Sequence, residues 1–454
     1  MCTTLISKYN VSGPRYTSYP TVPYWDNDSF RLWSWKEKVQ QSFEESNSNE
    51  GISLYIHSPF CESMCTFCGC NKRITKNHGL ELPYIETVLQ ELDLYIALFN
   101  HKPVIKQLHI GGGTPTFFSV ENFRVLLTGI FTRTIRDQYP EFSFEGHPNN
   151  TTKEHLQTLF DFGFERVCYG VQDYNLKVQN AINRVQPYEN VLKATTQAKG
   201  AGYTSVGHDI VYGLPFQTED DIINTIAQTI RLRPDRISFY SYAHVPWIKG
   251  NGQRGFRDED LPTPSQKRKQ YEIGKKTFKE AGYVEIGMDH FALKNDTLYS
   301  AQENGTLHRN FMGYAANKTK LMLGLGVSSI SDSWYGFAQN VKNVDEYQKL
   351  VKQGIFPVYR GHILTDEDLI IRKHILSLMC QFATTFSADD LVINHIPSLI
   401  EKLKEFEKDE LVTIDSNTIK VTKKGRPFVR NICMLFDLRL QRKKPETQLF
   451  SMTV

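Results

Sequence analysis

The sequence predicts an α/β fold in which a partial (β/α)6 barrel is preceded by an N-terminal segment and followed by a small, mostly helical C-terminal domain. Three observations predict it. Runs rich in β-formers recur through the first half of the chain, each followed by a stretch of helical spacing. Cysteines, glycines and polar residues suited to chemistry fall at or just after the ends of those runs, where such folds build their sites. Near Leu364 the alternation gives way to helices and a hairpin.

The strand-like runs cover 52–57, 105–110, 142–145, 166–170, 205–211 and 236–240, and helical patterns fill 83–99, 120–136, 153–162, 188–202 and 218–232. Six strand-helix units imply a parallel sheet curled into a barrel or part of one. From residue 364 the pattern predicts helices over 367–379 and 396–408 and a hairpin around 411–421. The expected division is therefore 1–45, an N-terminal segment covering the site; 46–363, the barrel with a C-terminal extension; and 364–454, a helical, winged-helix-like domain. That helix, helix, hairpin order and the basic run Arg442-Lys-Lys444 admit DNA binding, but a solvated surface is the better account of them, because small helical modules host many unrelated functions.

At 454 residues the chain exceeds one ordinary core. Aromatic residues at 12% and charged residues at 23% support a buried interior and argue against long disorder, and no internal repeat is visible. The start, Met1-Cys-Thr-Thr-Leu-Ile-Ser-Lys, lacks the basic-then-apolar pattern of a secretion signal, and no apolar run approaches spanning length. A cytoplasmic protein without a membrane partner is expected. A net charge of +3 with scattered basic residues argues against a nucleic-acid partner, while leaving room for a local basic pocket for a small polyanion. No interface-like stripe stands out, so a monomer is expected. Eight cysteines are too few for a disulfide scaffold, and four of them crowd between positions 61 and 70, which points to a metal site in a reducing compartment.

The strongest local signal is Cys61-Glu-Ser-Met-Cys65-Thr-Phe-Cys68. Three thiolates on one loop can hold three irons of a 4Fe-4S cluster and leave the fourth iron open to chelate a ligand. Zinc is the alternative, but a closed zinc site wants four ligands, commonly in two pairs, and no second pair is apparent. Cys70 would have to turn back across Gly69 to join the set, so it reads as a pocket residue. Gly111-Gly112-Gly113-Thr114-Pro115 lets backbone approach a ligand closely, although a tight turn after a strand would use glycine too. Glu145, Gln172, Arg184 and Asp209 each have a surface or capping explanation; together they offer acceptors for hydroxyls and a guanidinium for a carboxylate. Cys2, Cys168, Cys380 and Cys433 are scattered, and the last three read as small buried hydrophobes.

With these features the sequence resembles the radical SAM (S-adenosylmethionine) superfamily, and within it the oxygen-independent coproporphyrinogen III oxidases, or dehydrogenases, of haem biosynthesis. The resemblance runs nearly end to end. It is carried by Ser12-Gly-Pro-Arg-Tyr-Thr-Ser-Tyr-Pro-Thr21, Tyr55-Ile-His-Ser-Pro-Phe-Cys61, Cys68-Gly-Cys-Asn-Lys72 and Gly170-Val-Gln-Asp173, then by Tyr212-Gly-Leu-Pro215, His308-Arg-Asn-Phe-Met-Gly-Tyr314 and Arg430-Asn-Ile-Cys-Met434. It implies that SAM chelates the open iron and is cleaved by one electron to a 5′-deoxyadenosyl radical. That radical takes a hydrogen from the β-carbon of a substrate propionate, carbon dioxide leaves, and an acceptor takes the remaining electron to give a vinyl group. Two propionates of coproporphyrinogen III react, giving protoporphyrinogen IX; an electron donor and an electron acceptor are the implied partners.

Residue by residue, the resemblance implies that Cys61, Cys65 and Cys68 are cluster ligands and that Tyr55, Gly112, Glu145 and Ile330 contact the SAM on the cluster. Phe67, Gly113, Thr114, Gln172, Arg184, Asp209 and Ala243 match positions associated with a second SAM. Tyr16, Arg15 and the loop 308–314 are candidates for covering or gripping the tetracarboxylate substrate, and Cys70 for a pocket role. One departure is visible: Gly146-His147-Pro148 stands where bulkier apolar and acidic residues are expected, which puts the rigidity of that strand end in question while leaving Glu145 intact. Two rival readings remain. A haem chaperone sharing the barrel would have a bulky residue in place of Cys70 and would lack the Tyr16-Thr-Ser-Tyr-Pro20 and Arg430-Asn-Ile-Cys-Met434 segments. A radical SAM methyltransferase or nucleic-acid-modifying enzyme is weakened by the near-neutral charge.

Overall fold

In the computed structural model, which describes residues 3–246, 252–253, 255–387, 390 and 396–453, the six runs form parallel strands. They are β1 (Ile52–Ser58), β2 (Val104–Gly112), β3 (Ile135–Gly146), β4 (Phe164–Gln172), β5 (Ser205–Tyr212) and β6 (Arg236–Ser241), paired in that order. The fold is α/β, an open rather than closed barrel. Helices Glu81–Ile96, Val120–Arg133, Lys153–Asp161, Tyr188–Gly200 and Glu219–Leu232 link successive strands. Thr152 and Thr218 cap two of them with reciprocal bonds to His155 and Asp221.

The period-2 alternation of each strand sorts chemistry from packing. Leu54 and Ile56, Leu108 and Ile110, and Phe142 and Phe144 are buried in one core with Val88, Leu92, Leu126 and Leu127 of the covering helices. The intervening residues carry the polar face: Ser53 donates to Gln107 Oε1 at 2.7 Å, Gln107 donates to Glu141 at 3.1 Å, and His109 Nδ1 meets Ser143 Oγ at 2.8 Å. Cys168 Sγ donates to Asp209 Oδ1 at 3.2 Å on the same face. The inside of the barrel is thus polar from base to rim.

The sheet is larger than the six units. Met322–Leu325 adds a seventh parallel strand beside β1, followed by antiparallel Ile330–Asp332, Gly336–Asn340 and Val358–Ile363; beyond β6 lie His290–Ala292 and Val284–Ile286, making twelve strands. These strands are three to six residues long, and most follow one another without an intervening helix, so the strand-helix rhythm does not mark them. The helix expected over 120–136 stops at Arg133, because Ile135 and Arg136 pair with Val104 and Ile105 and so extend β3 seven residues earlier than the run at 142. Gly111, Gly112 and Gln172 belong to their strands rather than following them.

In the N-terminal segment, helix Leu32–Ser46 buries Trp35, Val39 and Phe43 in the main core. Helices Asp366–Gln381 and Ile396–Lys408 lead to a hairpin, Val412–Asp415 with Thr418–Val421, which Ala383–Thr385 joins as a third strand. Their core also holds Leu5, Tyr9, Tyr16 and Tyr19, so the start of the chain packs with its end. Of the basic run, Arg442 pairs with Glu367 at 2.5 Å. Among the described residues no helix is long and apolar enough to cross a membrane. Cys2 lies outside the described residues.

Candidate active site

The cysteine loop leaves β1 through Phe60–Cys61, which pairs with Arg73–Ile74 and so closes the loop on itself. Backbone bonds then fasten it to the barrel rim: Gly113 N donates to Ser58 O at 2.6 Å, Thr114 N to Phe60 O at 2.9 Å, and Thr66 N to Ile182 O at 2.9 Å. A cavity of about 220 Å³ opens there, lined by Cys61, Cys65, Cys68, Gly113, Thr114 and Arg184 among others. Thr114 Oγ1 donates to Cys61 Sγ at 3.4 Å, and Arg184 Nη1 to Cys65 Sγ at 3.7 Å. The Cys68 thiol is lowered by a hydrogen bond from Cys70, against its burial and with help from Lys72 and Arg184. Cys70 is raised by the same contact. Burial pushes Cys61 up. Lys72 closes the loop, donating to the carbonyls of Cys68 and Cys70 at 3.3 and 3.4 Å.

The glycine turn meets the third strand beside this cavity. Gly112 N donates to Glu145 Oε2 at 3.2 Å, and Glu145 Oε1 lies 3.5 Å from His109 Nε2. Gly112 has φ +111°, and a Cβ there would stand 2.7 Å from the His57 ring; one at Gly113 would stand 3.0 Å from Cys61 Sγ. Tyr55 OH meets His57 Nδ1 at 3.0 Å while His57 Nε2 meets the Asn71 carbonyl at 3.0 Å. Burial lowers the His57 imidazole and with it the tendency to charge. Ile330 begins the strand next to Gly324, which is the register partner of Tyr55.

On the other flank Gln172 takes a left-handed φ of +67° at a bulge opposite β5, and Arg184 Nη2 donates to Gly170 O at 2.8 Å. Burial pushes Asp209 up to about 6. Cys168, expected to be a small hydrophobe, instead binds that carboxylate, because its position on β4 places it on the polar face; Cys380 and Cys433 are buried. The Phe67 and Ala243 carbonyls both accept from Gln253 Nε2, at 3.3 and 2.9 Å. Gly146 stays within β3, with the Tyr169 ring where its Cβ would be, and His147 lines the cavity, its imidazole lowered to about 3 by burial and by Arg184.

The structure does not bring the Tyr16 phenol into the cavity: Tyr16 is buried, and its hydroxyl donates to Asp437 at 3.1 Å. Arg15 lies at the end of β6, donating to Ser241 O at 3.4 Å and paired with Asp289 at 3.0 Å. The loop 308–314 is a hairpin whose Arg309 donates to the carbonyls of Arg15 and Tyr16, each at 3.3 Å. His57, His109 and Lys72 were absent from the sequence-based set. The first two follow from Tyr55 and Gly111 by the strand period, since alternate residues share a face.

These strand ends, with three thiols, an adjacent glycine turn and an acid, define the radical SAM class: residues 55–228 match the radical SAM superfamily profile. The chain is 38% identical over 455 residues to the oxygen-independent coproporphyrinogen III oxidase of Escherichia coli, covering 99% of this chain and 98% of that one. It is 36% identical to the enzyme of that name from Pseudomonas aeruginosa, covering 95% of each. The solved structure of the Escherichia coli coproporphyrinogen III oxidase, described as a radical SAM enzyme, superposes with a TM-score of 0.87 at 37% identity over 93% of this chain and 97% of that one. The chain belongs to the oxygen-independent coproporphyrinogen III oxidase family.

The residues present fit the groups this family implies. Three thiols border one cavity with two cations, Lys72 and Arg184, to balance thiolate charge, and Gly113 keeps its wall free of a side chain beside Cys61.

Proposed function

We propose that this protein carries out the oxidative decarboxylation of two propionates of coproporphyrinogen III to vinyl groups, giving protoporphyrinogen IX, as an oxidoreductase of haem biosynthesis. The observation that carries the reading is 38% identity to a coproporphyrinogen III oxidase across 99% of the chain, with the thiols, the glycine turn and Glu145 gathered at one rim.

Cys61, Cys65 and Cys68 would hold a 4Fe-4S cluster, with Tyr55, Gly112, Glu145 and Ile330 around a SAM molecule. When bound, the pair supplies the 5′-deoxyadenosyl radical that takes hydrogen from a propionate. The protein's share is positioning. Glu145 is oriented by the Gly112 amide and His109, and offers an acceptor for an ammonium beside the thiols. Neutral His57, fixed between Tyr55 and Asn71, keeps β1 and the loop in one arrangement without adding charge. Phe67, Gly113, Thr114, Gln172, Arg184, Asp209 and Ala243 form the adjoining wall for a second SAM. Cys70 acts on Cys68, while Arg15 and Tyr16 serve the substrate side: Arg15 as a charge near the β6 end, Tyr16 by anchoring its segment on Asp437. We assign residues 1–45 as a covering segment, 46–363 as the catalytic barrel with its extension and 364–454 as a helical module, in a cytoplasmic monomer served by an electron donor and an acceptor.

The test is anaerobic incubation of the reconstituted protein with SAM, a strong reductant and coproporphyrinogen III, following 5′-deoxyadenosine and protoporphyrin by chromatography. Both products are expected; deoxyadenosine without decarboxylation overturns the substrate assignment.

A further inference from the structure

A second cavity, of about 40 Å³, lies beyond the ends of β5 and β6, where Tyr212 and Ser241 form one wall. Helix Pro264–Glu280, the turn at Gly287 to Asp289 and the C-terminal residues Arg426 and Arg430 complete it. Such a volume holds a few waters or one carboxylate; a macrocycle cannot enter.

Its charge is lopsided. Arg15, Lys267, Arg268, Arg426 and Arg430 line it. Of the carboxylates in the wall, Glu285 is committed to Lys275 and Lys279 outside it, at 2.8 and 3.1 Å, and Asp289 balances Arg15 within it at 3.0 Å. Arg268 pairs with Glu272. Lys267 donates to the Tyr242 carbonyl at 2.8 Å, and Arg426 sits 4.5 Å over the Phe382 ring with its buried Nε unmatched. Arg430 is buried and directs its guanidinium to the carbonyls of Gly13, Pro14, Ser451 and Met452. Among the described residues, none of Lys267, Arg426 and Arg430 has a carboxylate within ion-pair distance. Cations gathered in a partly enclosed wall without counter-charge are unfavourable until an anion arrives. Consistent with that, burial and the neighbouring Arg15 and Arg430 lower the Lys267 ammonium to about 8.

The wall is also made for the lysine. Gly213 has φ +80°, and a Cβ there would stand 2.9 Å from Lys267 Cε, so this glycine after β5 gives the lysine stem its path. The cavity lies on the carboxyl-end side of the barrel strands, as the cysteine loop does: Arg15 Nη2 donates to Ser241 O, the last residue of β6, at 3.4 Å.

Resting on the porphyrinogen reading above, we infer that this cavity receives a propionate carboxylate of the substrate that is not undergoing reaction, with Lys267 and Arg426 as its charge partners and Arg15 and Arg430 as the cationic wall. The substrate carries four short, flexible arms ending in carboxylates, and a cavity that admits one arm but not the ring fixes which arms are left for the chemistry at the rim. The shared chemistry is a carboxylate, and a free small carboxylate is the other source.

The holoenzyme with Lys267→Met is compared with wild type and Lys267→Arg, with matched iron content and unfolding midpoint as controls. The KM for coproporphyrinogen III should rise about tenfold with kcat within a factor of about two, the loss expected of one charged hydrogen bond, and Lys267→Arg should recover most of it. Fluorescence anisotropy with the oxidised porphyrin coproporphyrin III, against its tetramethyl ester, reads binding without turnover; the preference of wild type for the tetra-acid should narrow in Lys267→Met. Should that variant fail the folding controls, Arg426→Met replaces it with the same expectations. Unchanged KM and unchanged anisotropy in a folded variant, with wild type active, overturn the inference alone. Wild type that neither binds nor converts the porphyrinogen overturns the functional reading and the inference together. Acetate should compete with substrate in wild type and not in Lys267→Met. Acetate that protects wild type from unfolding while the variant's KM stays normal assigns the cavity to a free anion and overturns the propionate assignment.

Discussion

The Glu91 carboxylate accepts the Gly326 amide at 2.8 Å, tying helix Glu81–Ile96 to the turn that leads into Ile330. The same fully buried carboxylate accepts from Asn340 Nδ2 and Tyr347 OH, each at 2.6 Å. Tyr84, two turns earlier on the same helical face, takes the Val327 amide at 3.0 Å and donates to the His57 carbonyl at 2.7 Å, so the turn and the end of β1 are set by one helix. Glu91→Ala strands two buried donors, the Gly326 amide and the Tyr347 hydroxyl, removes one acceptor from Asn340, and should lower stability by about 2–4 kcal/mol in urea unfolding. Burial raises Glu91 to about 7 in spite of those bonds. A carboxyl raised on folding stabilises below its unfolded value and loses that contribution as pH rises through the folded value. The wild type should therefore lose stability relative to Glu91→Gln between about pH 4.5 and about pH 7. Parallel pH profiles for the two proteins would reject the assignment.

Gly112 is a position where no side chain is tolerated. Its φ of +111° is strained for any L residue, and the His57 ring and the Ser58 carbonyl stand 2.7 and 2.8 Å from where a Cβ would be. Gly112→Ala should cost about 1–3 kcal/mol of stability and disturb the bond to Glu145. Deoxyadenosine formation should fall by more than about a hundredfold, because the displaced carboxylate is one the cofactor is proposed to meet. Near-normal SAM cleavage in a folded variant would remove Gly112 from the site.

Cys65 and Cys70 should part company. Cys65→Ala removes one of the three proposed ligands, and reconstituted iron should drop to background with SAM cleavage lost. Cys70 instead hydrogen-bonds Cys68, so Cys70→Ser, which keeps a donor, should retain the iron and the visible cluster absorbance; product lost with the cluster intact would give Cys70 a pocket role beyond that bond. Iron loss in Cys70→Ser would make it a ligand.

How much of this was legible in the sequence follows from which forces leave a local mark. The six parallel strands and their helices were readable because each carries its own period, and the gathering of Cys61, Cys65 and Cys68 at one cavity because they sit within eight residues of one loop. The strand at Met322–Leu325 was not, since its place beside β1 is set by pairing across more than 250 residues of chain, with nothing local but a short apolar run. The start of β3 was hidden for a similar reason: Ile135-Arg-Asp-Gln-Tyr-Pro140 has no alternation worth the name, and the ladder to β2 recruits it. Cys168 was misread because burial and polarity were treated as alternatives, whereas the barrel interior supplies both. Tyr16 was placed by motif alone, and only the folded chain reveals that its phenol faces Asp437 in a core built from both ends of the sequence.

That shared core is held by Asp368, and its acid sensitivity is the last expectation. Asp368 caps helix Asp366–Gln381 through Thr365, accepts from Arg439 Nε and Nη2 at 2.7 Å each, and meets His362 Nε2 at 3.3 Å. His362 Nδ1 in turn accepts the Asp26 amide at 3.0 Å, which fixes the ring proton on the nitrogen facing Asp368 and brings the N-terminal segment into the same network. Although burial opposes it, the bonds from Arg439, His362 and Thr365 hold the Asp368 carboxyl well below the usual carboxylate range. A carboxyl depressed on folding stabilises above its unfolded value, and that contribution drains away as pH falls through the folded one. Asp368→Asn should therefore lower stability by about 2–4 kcal/mol near neutral pH, because it leaves a partly buried Arg439 without its charge partner. The deficit against wild type should shrink as pH drops below about 4. Urea unfolding of the two proteins at neutral and acid pH measures both quantities; a deficit that stays constant into acid would mean that the cap to Thr365, and not the charge on Asp368, is what holds the two ends of the chain together.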